Sequence, residues 1–203
     1  PWMADGANGE VAMNYTFKKA DEGWKALSVY RFKRFEQEVY YREAWLRNDT
    51  DIEFQLADIL LPDGVLRVDK AMSVNPVEAH LGHYALPHLT NTIKEKTIKK
   101  HGYTAYVIEN EKHQLAMVPL YGWKEVGFEH TSGLHPESDE CTVLNAKEIF
   151  TGEKIFVTLL LWNKAGMKVD NKRLFPVKDV LVSHDKKSVT VLLNDGTRKE
   201  VVW

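Results

Sequence analysis

The chain has 203 residues, 27 basic and 29 acidic side chains, a formal net charge of -2, and one cysteine, Cys141. A lone cysteine cannot form an intrachain disulfide, and the near-matched charges lack the basic excess of a nucleic-acid or anionic-membrane binder. At this length roughly 70% of the unfolded chain's surface can be buried, so neither disulfide nor metal is needed for folding. The longest apolar run, Val157–Trp162, falls far short of the ~20 residues that span a bilayer. No signal peptide is visible, and a start at Pro1 reads as a processed protein or a domain cut from a longer chain.

Residues 1–9, small and polar around Trp2, read as an incoming connection. Val11, Met13, Tyr15 and Phe17 then alternate with polar residues, the period of a half-buried strand. Trp24–Phe32 follows as a second strand after a turn containing Asp21 and Gly23. Phe35–Leu46 could place its apolar residues on a helical face, but Val39-Tyr40-Tyr41 favours a strand. Ile52–Leu60 alternates again, and Pro62-Asp63-Gly64 is a tight turn. Residues 75–91 hold two prolines and three histidines, a composition that predicts a covering loop, since proline is excluded from central strands.

Thr92–Lys100 is a lysine-rich strand of the kind that protects a sheet edge. From Tyr103 to Trp162 the sequence predicts strands over Tyr103–Glu109, His113–Leu120, a third run, Cys141–Asn145 and Lys154–Trp162, with a polar loop over Glu129–Glu140. Three short strands close the chain, and Asp195-Gly196 is a strong hairpin signal between the last two. No helix longer than two turns is predicted. About a dozen strands with turns at regular spacing indicate an all-β fold, a large antiparallel two-sheet sandwich of the supersandwich type, over residues 1–203 as a single domain. The size exceeds the roughly 100 residues of an immunoglobulin domain.

Two constellations could carry chemistry. Glu78, His80, His83 and His88 are residue types that bind zinc or a similar metal, although histidines on a covering loop also serve by hydrogen bonding to backbone. The second lies around Tyr121-Gly122-Trp123 and the loop beyond it, where Tyr121, Trp123, His130, His135 and Glu137 could hold a sugar by ring stacking and hydrogen bonds. Glycoside hydrolysis needs two carboxylates about 5 to 10 Å apart, which Glu137, Asp139 and Glu140 could supply in principle. Loops of this composition are also ordinary surface loops. No motif with a strong catalytic spacing occurs, no reaction is assigned to the chain alone, and no cofactor is expected. Cys141 follows an acidic loop that would raise its pKa, which argues against a nucleophile.

Leu120-Tyr-Gly-Trp123 followed by Ser132-Gly-Leu-His-Pro-Glu-Ser138, with the long β run around them, resembles the C-terminal β-sandwich of bacterial glycan-degrading proteins. Heparinase II/III-like lyases and related toroid-plus-sandwich proteins are the family in view. The resemblance implies an accessory sandwich that packs on an N-terminal helical toroid of the same chain and lends loops to a polysaccharide-binding cleft. It also implies a periplasmic or extracellular location, although a lone cysteine suits the cytosol equally. It transfers no catalytic residue, because no lyase Tyr/His pair can be matched here. The alternatives are a self-standing carbohydrate-binding module and a metal-binding sandwich.

Overall fold

A computed structural model describes residues 2–5, 11–16, 25–34, 37–42, 52–61, 64–85, 94–109, 113–131, 141–164 and 171–203. Side chains are described within 53–61, 64–82, 94–109, 114–130, 142–161 and 173–203. The described chain is all-β apart from a single helical turn, α1 (Asn171–Leu174). The strands are β1 (Trp2–Asp5), β2 (Val11–Thr16), β3 (Lys25–Arg34), β4 (Gln37–Arg42), β5 (Ile52–Leu61), β6 (Gly64–Ala85) and β7 (Lys94–Lys100). They continue with β8 (Tyr103–Glu109), β9 (His113–Tyr121), β10 (Glu125–Thr131), β11 (Cys141–Lys164), β12 (Val177–Val182), β13 (Ser188–Leu193) and β14 (Arg198–Val202).

Every described pairing is antiparallel, and the last three strands form their own sheet in the order β12-β13-β14. The first eleven form a sheet whose path is β1-β2-β3-β6-β11-β9-β8-β7, with β4, β5 and β10 joined to β3, β6 and β11. The lysine-rich β7 is the edge strand that its composition predicts.

The sheet is built on β6 and β11, which pair from Leu161↔Gly64 to Thr142↔Ala85. A straight strand of 22 residues would be roughly 75 Å long. A compact chain of this size has a radius of gyration of only about 17 Å. The pair must therefore bend, and it does so at a register shift between Phe150↔Val77 and Gly152↔Ser73. Gly152 takes a φ of 75° there, and the exposed Pro76 sits on the partner strand within the same irregularity. A proline cannot donate to a ladder and is tolerated at a bulge.

This corrects two expectations. Residues 75–85 are strand rather than covering loop, because Pro76 falls where the ladder is already broken. Cys141–Asn145 and Lys154–Trp162 belong to one strand, with the polar residues between them at the bend.

The bend lays one half of the sheet over the other. Tyr106 of β8 meets Phe128 of β10 edge-on, with ring centroids 5.9 Å apart. His130 of β10 reaches Glu95 of β7 at 3.2 Å. Alternation along each strand then separates two cores. Ile108, Leu115, Met117, Phe156 and Leu160 face the folded-over half, meeting Leu81, Leu144, Ala146 and Phe150. Their neighbours Val107, Ala116, Val118, Val157 and Leu159 face the other way, onto Leu174, Phe175, Val189 and Val191 of the C-terminal segment. The sandwich is thus one bent sheet with a small second sheet packed on its back.

Two charged side chains lie wholly inside among the described residues, Arg67 and Asp69. Arg67 is 0% exposed and donates from Nε and Nη2 to the two carboxylate oxygens of its cross-strand partner Asp58, both at 2.9 Å. Losing one member of such a pair costs far more than the pair contributes, because a charge is left in the interior. Asp58→Ala is expected to lower unfolding free energy by about 3 kcal/mol, read from urea denaturation. An Asp58→Leu, Arg67→Met double variant should recover most of that loss. A double variant less stable than Asp58→Ala would show that the charge does not set the cost.

Candidate functional site

A cleft lined by five charged side chains lies at the bend, for a reason of topology. β10 borders the first part of β11 up to Glu125↔Lys147, and β9 borders the last part from Tyr121↔Val157. Between those pairings Glu148–Phe156 has no described strand beside it on that edge. The chain crosses the gap at Gly122, whose φ of 88° is left-handed. A Cβ there would lie 2.1 Å from the Ile155 carbonyl oxygen, so only glycine lets the turn approach this closely.

The resulting cleft has a volume of 530 Å³ and is lined by Tyr121–Lys124, Glu148, Glu153–Ile155, Val182 and Lys186. Val182 and Lys186 come from the small sheet, β12 and the turn after it. The same Tyr121–Lys124 turn also lines a second depression of 390 Å³ on the side of Tyr103 and Tyr106.

The two aromatic residues of the turn play different parts. Tyr121 ends β9 with 44% of its surface exposed. Trp123 is held inward: its indole stacks on Phe156 at 4.1 Å and 24°, and Nε1–H donates to Thr158 Oγ1 at 2.8 Å. The sequence suggests an open aromatic pair at Tyr121 and Trp123; the structure makes Trp123 a part-buried anchor of the corner.

Charge in the cleft is already partly matched. Glu153 pairs with Lys70 at 2.7 Å, and Glu148 lies 3.5 Å from Lys154. Lys186 donates from Nζ to the Glu153 backbone carbonyl, and Lys70 donates to the Lys186 carbonyl at 3.2 Å, tying the small sheet to β6 and β11.

The other predicted site residues are dispersed. His130 stands at the opposite end of β10 from Trp123, a distance of roughly 20 Å at strand rise, and lines neither depression. His135 and Glu137 lie outside the described residues, as does His88. Glu78 and His80 do meet, with His80 Nε2 against Glu78 Oε1 on β6, and His80 is only 3% exposed. His83 is also a β6 position, and its side chain lies outside the described ones. Among the described residues no group of three or more His, Cys, Asp or Glu is placed to hold a metal. Lys124, Glu148, Glu153, Lys154 and Lys186 were not singled out in the sequence, because their meeting depends on the bend and on the docking of the small sheet.

No family model and no curated protein matches the chain. Among solved structures, one match is a candidate kojibiose phosphorylase from the human microbiome, at 13% identity and a TM-score of 0.41. The match covers 74% of this chain and 24% of that one, so this chain spans about a quarter of that protein's length. A likeness of this strength decides neither activity nor ligand.

Two side chains near this region give direct tests. Thr158→Val removes the acceptor of the Trp123 indole and should cost about 1 to 3 kcal/mol of stability, measured by urea unfolding; an unchanged midpoint would mean the bond contributes nothing. Burial pushes the Glu129 carboxyl up, but hydrogen bonds from Lys147 and Asn145 and the charges of Lys147 and His80 outweigh it, holding the group below its ordinary range. A depressed carboxylate stabilises the fold above its unfolded pKa and loses that contribution as pH falls through its folded value. Glu129→Gln should therefore lose less stability than the parent between pH 7 and pH 3; an identical loss would remove Glu129 from the acid response.

Proposed function

We propose that this chain is the accessory β-sandwich of a carbohydrate-active protein, holding a saccharide in the cleft at the sheet bend beside a catalytic helical toroid. The observation that carries this reading is the exposed Tyr121 ring at the rim of a 530 Å³ cleft that sets three lysines and two glutamates beside the apolar Trp123, Ile155 and Val182. That volume falls within the ~300–1,000 Å³ of ordinary small-ligand sites. A tyrosine offers a large rigid apolar face with a polar end, which suits the C–H face of a sugar ring, while charged groups around it can exchange hydrogen bonds with ring hydroxyls.

Binding fits the cleft better than catalysis. A general acid is a carboxyl kept protonated by burial or a like charge, whereas Glu148 and Glu153 are each next to a lysine. Met72, Val74 and Ile149 expose apolar surface close to the same bend, a feature that suits a neighbouring domain.

Calorimetric titration of neutral and acidic oligosaccharides into the intact protein tests the proposal. At least one saccharide should bind, and Tyr121→Ala should weaken it on the order of tenfold, equivalent to about 1.4 kcal/mol. Tyr121→Trp should retain binding. Equal affinity in the alanine variant, or no binding by the folded protein, would overturn the reading.

A further inference from the structure

A third depression, of 410 Å³, lies between two hairpin turns and shares no lining residue with the two at the bend. Its floor is apolar, made by Phe175 and Pro176 after α1 and by Leu193 at the end of β13. Phe175 and Leu193 are buried. One wall is the β13–β14 turn, and it is fixed before any ligand arrives. Asn194 donates from its backbone N–H to the Pro176 carbonyl at 2.8 Å and from its side-chain amide to the Phe175 carbonyl at 2.6 Å. Asp195, although it lines the depression, is engaged within its own turn, with Oδ1 accepting from the Thr197 N–H at 2.8 Å.

The other wall is the β7–β8 hairpin, which brings Lys100 and His101. Lys100 pairs with Tyr103, leaving a two-residue loop in which His101 has a φ of 53° and Gly102 a φ of 81°. A turn with both central residues left-handed ordinarily begins with asparagine or glycine. A histidine there carries an exposed imidazole to the rim at a conformational cost, and backbone strain of this kind gathers at ligand clamps. Lys96 of the same strand is paired with Glu109, whereas Lys100 has no carboxylate at ion-pair distance among the described residues.

We infer that this depression binds a small carboxylic acid with an aromatic or branched apolar body. The carboxylate meets the Lys100 ammonium and a ring N–H of His101, and the body lies on Phe175, Pro176 and Leu193. Hydrogen bonds between ionised groups are about twice as strong as neutral ones, and the floor adds the burial of apolar surface. The volume falls within the ~300–1,000 Å³ of ordinary small-ligand sites. A bare inorganic anion would leave the floor uncovered. A sugar would set its hydroxyls against side chains that cannot hydrogen-bond, since the Phe175 and Pro176 carbonyls are already taken by Asn194.

The test titrates phenylacetate and indole-3-acetate, their two primary amides, and acetate into the intact protein, with affinities read from NMR shifts. At least one of the two aryl acids should bind. Its amide, which keeps the body and loses the charge, should bind about tenfold more weakly, as should acetate, which keeps the charge and loses the body. Lys100→Gln and His101→Asn should each weaken the acid several-fold. Asparagine tolerates the left-handed turn, so the second substitution removes the imidazole and keeps the hairpin. Lys99→Gln takes one charge from an exposed neighbour that does not line the depression, and should leave the affinity as it was.

The shifted resonances should include those of Leu193 and Lys100. Acid and amide binding equally would overturn recognition of the carboxylate, and acetate matching the aryl acids would overturn the part given to the floor. Equal losses in Lys99→Gln and Lys100→Gln would reduce the effect to net charge and overturn the site. So would acid binding unaltered by both Lys100→Gln and His101→Asn, or no binding of either aryl acid by the folded protein. None of these outcomes bears on the cleft at the bend, which none of the three substitutions touches.

Discussion

The long ladder between β6 and β11 is the constraint on which the other features rest. Two strands that pair over some twenty residues present more length than a domain of this size can hold straight, and an antiparallel ladder has no intrinsic reason to fold back. A proline on one strand and a left-handed glycine on the other supply that reason at one level of the ladder, around Pro76 and Gly152. Once the sheet turns there, its two halves become two layers, and the side chains that alternate inward from each find one another. The first core exists only because of this bend. The second arises on the opposite face of the same strands, where the C-terminal three-stranded sheet covers it.

A core enclosed by a bent sheet is well defined in depth but poorly defined along the strands, because every inward position meets similar apolar groups. The polar row across β5, β6 and β11 addresses that. Asp58 lies opposite Arg67, Arg67 opposite Thr158, and Thr158 accepts from the Trp123 indole. A one-residue slip of any of these strands would turn its polar member to the other face. For Arg67 that face is the apolar layer beneath the small sheet, occupied by Leu66 and Val68. Such a slip would strand a buried charge, so the row fixes register even where its net contribution to stability is small.

What could be read in the sequence was whatever depends on neighbours in the chain. The strand-forming runs of β8 and β9, the alternation of β13, the Asp195-Gly196 turn and the lysine-rich edge β7 are local patterns, and the structure has them where the patterns place them. What failed were inferences that used a local rule where a distant partner decides. Pro76 excludes a regular central strand, yet β11 contributes an irregularity opposite it and the strand continues. Glu129–Thr131, read as the start of a polar loop, completes β10 because Cys141–Val143 offers a ladder to pair with. Trp123 reads as an exposed ring, since nothing within its own turn covers it; Phe156 and Thr158, over thirty residues away, draw it inward.

The cleft illustrates the same distinction for charge. A formal net charge of -2 spread over 203 residues describes no particular surface, because charges separated by more than about a Debye length scarcely interact in water. What a ligand meets is the local sum after internal pairing. Here the fold brings Lys70 from β6 behind Glu153 and sets Lys154 beside Glu148, so the carboxylates are answered from within the wall. Lys124 is carried in by the turn that Gly122 permits, and Lys186 by a sheet that the second core holds in place. A locally cationic cleft on a slightly acidic chain therefore follows from the bend and the docking of the small sheet. Neither the cations nor the bend alone would make it.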